Sequence, residues 1–353
     1  MISKFLNQIG GAGAALLSAL LFGLSVPLAK SMLGNTSPWL IAGVLYFGAG
    51  FGLCLILFIQ RIFGKLEIPK FEKSDLLWLG IVTIFGGILA PILMMYGLKF
   101  TSAANASLLL NLESVATLLI AWIVYKEHLD TKLLIGAIAI LLGALCLSWS
   151  GGNFMFDKGA IFIALACLFW GIDNNLTRKL SYSNPIFIAA IKCTIAGCVN
   201  LLFATQAQFN MPKIDVFLIT AVIGFLGYGL SIALFVLSLR HLGAARSGAY
   251  FSTAPFIGAI YALIFMGEKL SIALIIAGVL MAIGVIIHLI EDHAHEHMHD
   301  EIEHSHAHIH DEHHQHDHSG DISPNEPHSH RHRHKSLVHS HKHFPDLHHR
   351  HSH

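Results

Sequence analysis

Residues 98–127 read LKFTSAANASLLLNLESVATLLIAWIVYKE, and residues 239–268 read LRHLGAARSGAYFSTAPFIGAIYALIFMGE. At a constant offset of 141, Leu98, Lys99, Ala103, Ala104 and Glu127 fall on Leu239, Arg240, Ala244, Ala245 and Glu268. The match continues at Leu129 with Leu270 and at Gly143 with Gly284. Nearer the start of each copy, Gly23, Leu28 and Lys30 meet Gly171, Leu176 and Arg178 at an offset of 148, the shift of seven falling in intervening loops. The chain is therefore an internal duplication.

The solvent for both copies follows from composition. Of 353 residues, 54% are apolar and only 12% charged, whereas a soluble domain carries about 25% charged residues. That is too little polar surface to cover a globule in water, which excludes the common soluble enzyme classes. A helix crossing the hydrocarbon layer needs ~20 mostly apolar residues, because lipid offers no partner to unpaired backbone groups. The first copy contains five such runs, at 9–30, 38–59, 76–98, 102–125 and 132–150. The second contains five more, at 159–177, 185–204, 215–239, 244–266 and 271–290. Five is odd, so the second copy inserts upside down relative to the first. The expected fold is an all-α integral membrane protein of ten transmembrane helices in two inverted five-helix repeats, residues 1–150 and 151–291. The apolar opening from Ile9 to Ala29 is read as the first span, with no small-residue cleavage site before Pro27.

Positive loops stay in the cytoplasm. With the N-terminus inside, the inner segments hold eleven Lys and Arg, from Lys4 and Arg61 to Arg240 and Arg246; the outer loops hold five, Lys30, Lys99, Lys158, Lys213 and Lys269. Ten spans return the C-terminus to the same side, so both termini are expected in the cytoplasm, in an inner or plasma membrane. Cys54, Cys146, Cys167, Cys193 and Cys198 all lie in apolar runs without a C-x-x-C pair, which reads as small buried side chains.

Inverted repeats around a central site are a recurrent build of secondary transporters, and these residues resemble the EamA family of the drug/metabolite transporter superfamily over residues 12–290. The resemblance rests on the ten-span duplication, on Leu112-Glu113-Ser114 and Thr253-Ala254-Pro255 midway along the fourth and ninth spans, on the Glu127 and Gly267-Glu268 turns, and on the glycines of the fifth and tenth spans. It implies an exporter of small metabolites, amino acids or toxic compounds, energised by ion gradients or exchange. The first copy departs from the family pattern at Ser114, where members usually carry Pro, which leaves open whether the fourth span kinks there.

Ionisable groups inside spans are costly and read by default as functional. Glu113 lies about 18 Å along the fourth span, near the bilayer centre. Removal from water favours the neutral form of any carboxylic acid, so Glu113 is a candidate for coupling proton movement to substrate movement, against the alternative of a structural carboxyl. Asp173 and Lys192 fall at one depth on adjacent spans and are expected to pair, as a structural lock or as a gate or substrate contact. The run Asp173-Asn174-Asn175 fans over about 200 degrees of helix, so one member faces the pathway and the others bond neighbouring helices. Ser107, Asn111 and Ser114 form a polar stripe suited to interhelical packing, with substrate contact by Asn111 as the alternative, while Asn111 and Glu113 point to opposite sides. Arg246, Tyr250 and Thr253 share a face of the ninth span, and Tyr250 and Thr253 are candidates for lining the site.

Residues 292–353 differ in kind. They carry a balance of −6 against +6 for residues 1–291, and hold 23 of the 26 histidines. The histidines recur at every second residue: His293, His295, His297 and His299; His304, His306, His308 and His310; His314, His316 and His318; then His328, His330, His332 and His334. Alternating polar residues give no core to fold around, so a disordered tail is expected. Neutral imidazoles ligate zinc, nickel or cobalt, so the tail is expected to bind divalent metal.

No phosphate-binding loop or nucleophile motif occurs, so an enzyme is not expected and no resident cofactor is required. The sequence reading is a secondary transporter exporting small metabolites, with a metal-binding tail. Its alternatives are a transporter of divalent cations such as nickel, cobalt or zinc, and a membrane-anchored metal buffer or sensor. The partners are the lipid bilayer, a small-molecule substrate, divalent metal ions and, as an option, a second copy in a homodimer; nucleic acid is not among them.

Overall fold

With no water to satisfy backbone groups, each long apolar run closes its hydrogen bonds on itself as helix. In the computed structural model, residues 2–34, 36–63, 73–126, 129–149, 157–177, 185–206 and 210–289 are described, together with 294–299, 303–308, 328–333 and 337–342 of the tail. The first copy comprises α1 (Ile2–Leu33), α2 (Pro38–Ile62), α3 (Lys73–Val82), α4 (Ala90–Phe100), α5 (Ala103–Leu109), α6 (Leu112–Tyr125) and α7 (Thr131–Ser148). The second comprises α8 (Lys158–Thr177), α9 (Pro185–Gln206), α10 (Ile214–Gly224), α11 (Ser231–Phe251), α12 (Ala254–Phe265) and α13 (Ile272–Leu289).

The two copies break their helices at matching places. A π turn over Thr83–Leu89 joins α3 to α4, and another over Phe225–Leu230 joins α10 to α11. Such insertions widen the helix and release carbonyls from the regular ladder. The fourth span breaks between α5 and α6, and the ninth between α11 and α12. The chain is thus two five-span repeats built to one plan, in inverted orientation.

Among the described residues, nine segments are long and apolar enough to cross a membrane, and Ala254–Phe265 is a shorter apolar helix. The span expected at 244–266 is therefore not one straight helix. Its first part lies in the helical run Ser231–Phe251, yet that run cannot be straight. Ser238 and Ser247 are nine residues apart, about 13 Å along a helix, and their hydroxyls lie 2.6 Å apart. The rings of Phe235 and Phe251 are 4.9 Å apart. The chain doubles back between these residues, so the eighth and ninth spans form a hairpin and the crossing is completed by α12.

Packing runs between copies as much as within them. α2 lies along α9, α7 along α13, α1 along α11 and α12, and α4 along α8. Small residues allow this approach: a Cβ added at Gly143 would sit 3.0 Å from the Ala277 carbonyl oxygen, and one at Gly284 2.6 Å from that of Gly136. The buried core runs through Met94, Met95, Leu98, Leu109, Ile140, Ile163 and Met281. Large apolar side chains such as Phe51, Phe58, Ile138, Ile264 and Phe265 stay on the outside, as suits lipid.

Residues 291–353 form a separate unit. Four six-residue strands, β1 (Ala294–His299), β2 (Glu303–His308), β3 (His328–Arg333) and β4 (Leu337–Lys342), pair antiparallel as β1 with β4 and β2 with β3. Among the described residues neither ribbon has a third strand, and an isolated two-stranded ribbon is marginal in water, in keeping with a segment that has no core to fold around. The registers set His295 opposite His341, His297 opposite His339, and His304, His306 and His308 opposite His332, His330 and His328. His293, His310, His314, His316, His318 and His334 lie outside the described residues.

Candidate functional site

The break between α5 and α6 forms without proline. The amides of Leu110, Asn111 and Glu113 donate to the carbonyls of Ser107, Leu108 and Leu110, three residues back, which tightens the turn and ends the regular ladder. Two side chains attach to carbonyls of the same turn: Asn111 Nδ2 donates to Leu108 O at 2.8 Å, and Ser114 Oγ to Asn111 O at 2.7 Å. The kink left open by Ser114 is present, because short polar side chains do locally what the missing Pro amide would do. In the polar stripe, Asn111 and Ser114 serve the break in their own helix, while Asn111 Nδ2 also reaches Met281 Sδ of α13 at 3.8 Å and Ser107 packs against Gly258 of α12. In the ninth span, Thr253 N and Thr253 Oγ1 both donate to Tyr250 O, at 3.2 and 2.6 Å, and Pro255 follows.

Between these breaks lies a cavity of about 490 Å³. It runs from Asn111, Ser252 and Pro255 at the broken helices to Ala121, Leu133 and His288 at one end of the bundle, past Glu113, Thr117 and Asn174. Asn174 Nδ2 donates to Glu113 Oε1 at 2.9 Å, with Thr117 Oγ1 at 3.3 Å. Asn111 and Glu113 thus border one space, where a regular helix would have pointed them apart; the tight turn at 110–113 rotates them together.

The run Asp173-Asn174-Asn175 divides its work by direction. Asn174 faces the cavity, and Asn175 Nδ2 binds the backbone oxygens of Thr117 and Gly171 at 3.0 and 2.9 Å. Asp173 turns the other way, where Lys192 Nζ reaches its Oδ2 at 2.6 Å and Thr177 Oγ1 donates to its Oδ1 at 3.1 Å. The two charged residues expected to meet are in contact, against Gly86 and Gly87 of the first π turn, and they do not line the cavity. Gly86 O, released by that turn, accepts from Tyr46 Oη and Trp170 Nε1, each at 3.1 Å. Tyr250 and Thr253 are also absent from the described lining, which takes Phe251, Ser252 and Pro255 instead; the break at Ser252 swings their face away. The side chain of Arg246 lies outside the described residues.

At the opposite end, two residues not singled out as site candidates tie down the start of α5, Glu268 from the second copy and Lys30 from within the first. Glu268 Oε1 accepts from Ala103 N at 2.7 Å and its Oε2 from Ala104 N at 2.8 Å. Gly267, with φ of +68°, makes the left-handed turn that few side chains tolerate and precedes this carboxylate. Lys30 Nζ, in the first copy, donates to Leu98 O and Thr101 O in the turn that leads into α5. The signal was present in the repeat, since Lys30, Leu98, Ala103, Ala104 and Glu268 are among its matching positions. Removing the carboxylate with Glu268→Ala is expected to cost ~1–3 kcal/mol and to speed hydrogen exchange at the Ala103 and Ala104 amides; unchanged exchange there would argue against the clasp.

Among the described residues no group of three or more His, Cys, Asp or Glu side chains is arranged to hold a metal ion. The cysteines are free.

The model of the EamA-like transporter family matches residues 9–149 and again residues 157–290. An uncharacterized transporter of Methanothermobacter thermautotrophicus is 28% identical over 298 residues, covering 80% of this chain and 87% of that protein. A protein of Streptantibioticus cattleyicolor named "Probable terminal-alkyne amino-acid exporter" is 23% identical, covering 64% of this chain and 76% of its own length. A solved crystal structure shares the fold with a TM-score of 0.56 at 18% identity, covering 78% of this chain and 95% of that chain.

Proposed function

The chain belongs to the EamA-like transporter family and is a multi-pass membrane protein, and from that premise we propose that it is a secondary active exporter of small metabolites, amino-acid-like or toxic, working by alternating access. The observation that carries this reading is the cavity itself. It reaches from two broken helices to one end of the bundle, while the other end is pinned by Glu268 and Lys30. Discontinuous helices around a midplane site are the common construction of such carriers.

With the N-terminus inside, as the distribution of Lys and Arg favours, the cavity faces the cytoplasm and the pinned end faces out. Substrate then enters beside Glu113 and Asn174. Release requires the Glu268 contacts, which join the two copies, to part as the repeats rock against each other. Glu113 is the carboxylate that takes up and gives back the coupling proton. The amino-acid exporter among the relatives supports a small amine-containing metabolite as cargo. The test is flux of amino acids, amines, other metabolites and divalent cations in liposomes holding the purified protein, with and without a pH gradient. Gradient-driven movement of an organic solute supports the reading; movement of divalent cations alone would replace it.

The tail is proposed to bind zinc, nickel or cobalt as a cytoplasmic store or sensor. Its support is the donor chemistry: histidine positions pair with histidine positions in the strand registers, and ten carboxylates lie in 292–326. Imidazole ligates only when neutral, and its ordinary pKa is about 6.5. Binding is therefore fully present above that value and is lost as pH falls through it. Calorimetric titration with zinc and nickel is expected to give much weaker binding at about pH 5.5 than at about pH 7.5, and an unchanged affinity would rule out histidine ligation.

A further inference from the structure

The charge pattern of the cavity specifies the cargo more narrowly, and this inference rests on the transporter reading above. Among the described residues lining the cavity, Glu113 is the one carboxylate and there is no Lys or Arg. The nearby cation, Lys192, is engaged with Asp173 at 2.6 Å. Glu113 Oε1 accepts from Asn174, and among the described residues nothing donates to Oε2. The Nε2 of His288 lies 3.0 Å from Leu133 O; a carbonyl can only accept, so the hydrogen on Nε2 is spent on the backbone and is not offered to the cavity.

An anion would need donors, and the broken helices do not supply them. Amides at helix starts can bind anions when they are unspent. Here Glu113 N donates to Leu110 O, and Phe256 N and Ile257 N donate to Thr253 O. Pro255 has no amide hydrogen. Asn111, Ser114 and Ser252 spend side-chain hydrogens on backbone carbonyls, and much of the wall is apolar, formed by Leu118, Leu133 and Val285 together with Phe22 and Phe251, whose rings lie 5.3 Å apart. Aromatic faces attract cations and repel carboxylates.

We propose that the cavity takes an organic ammonium, its N–H donated to the open oxygen of Glu113 and its apolar body laid against Phe22, Leu118 and Val285. A molecule of the same size bearing a carboxylate in place of the ammonium is rejected. An amino acid, which carries both groups, binds between these extremes.

Three probes with one ring and similar size separate the cases: phenethylamine, phenylalanine and 3-phenylpropionate. Alkylamines ionise near the lysine value of about 10.4, so phenethylamine is charged at neutral pH. Binding of radiolabelled phenethylamine to the full-length purified protein, with each compound as competitor, is expected to rank them in that order. 3-Phenylpropionate should compete about tenfold or more weakly than phenethylamine, and Glu113→Gln should weaken phenethylamine by a similar factor, as for loss of a charged hydrogen bond. Equal competition by 3-phenylpropionate, unchanged binding to Glu113→Gln, or no saturable phenethylamine binding would each overturn the proposal. Liposome flux separates this from the broader reading. Selective amine binding without any translocation would sink the transporter function and leave the recognition intact. Robust export of carboxylates that lack an amine would do the reverse.

Discussion

Asp173→Asn alone should destabilise the protein by ~3–5 kcal/mol, more than Glu268→Ala does, and adding Lys192→Met should restore most of that loss. Asp173 is 6% exposed and Lys192 17%, and their charged atoms are 2.6 Å apart. Each charge makes burial of the other tolerable. Taking away the carboxylate leaves a largely buried ammonium with no counter-charge, which is the expensive arrangement. Removing both leaves two neutral side chains on α8 and α9, which costs much less. The measurement is thermal unfolding of the two single variants and the double variant in one detergent. Additive losses would mean that the contact contributes nothing as a pair.

Glu113→Gln is the second large effect, and it falls on transport. Glutamine keeps the volume and still offers an oxygen to Asn174 Nδ2, which lies 2.9 Å from the present carboxylate, so the protein should fold and reach the membrane. What it loses is the ability to exchange a proton and the charge that draws a cation. In liposomes with an imposed pH gradient, uphill movement of substrate is expected to fall to background, while any downhill exchange becomes insensitive to pH. A variant that still concentrates substrate against its gradient with the same pH response would remove Glu113 from the coupling. The neighbouring Asp173 then offers no simple replacement, since its carboxylate is held by Lys192 and Thr177.

Particular residues mark how far local reasoning reached. The contact of Asp173 with Lys192 was legible because both distances along the helix axis could be counted from the span ends. The opposition of Asn111 and Glu113 was not, since that count assumes about 100 degrees per residue through a turn whose amides bond three residues back. Ser114 left the kink undecided for a related reason: proline is one way to break a helix, and an Asn-and-Ser turn is another. Glu268 stood in plain view as a repeat match, yet its partners Ala103 and Ala104 lie 165 and 164 residues away.

Hydropathy is a relation between each short segment and its solvent, so the chain alone determined the spans, their number in each copy and, through that odd number, the inversion. The repeat offset likewise needs only the residues themselves. Which side chains border the cavity was decided by the tertiary structure. It depends on how broken helices from two inverted copies are rotated and pressed together, and that is set by contacts between residues far apart in sequence, such as α2 against α9 and α7 against α13.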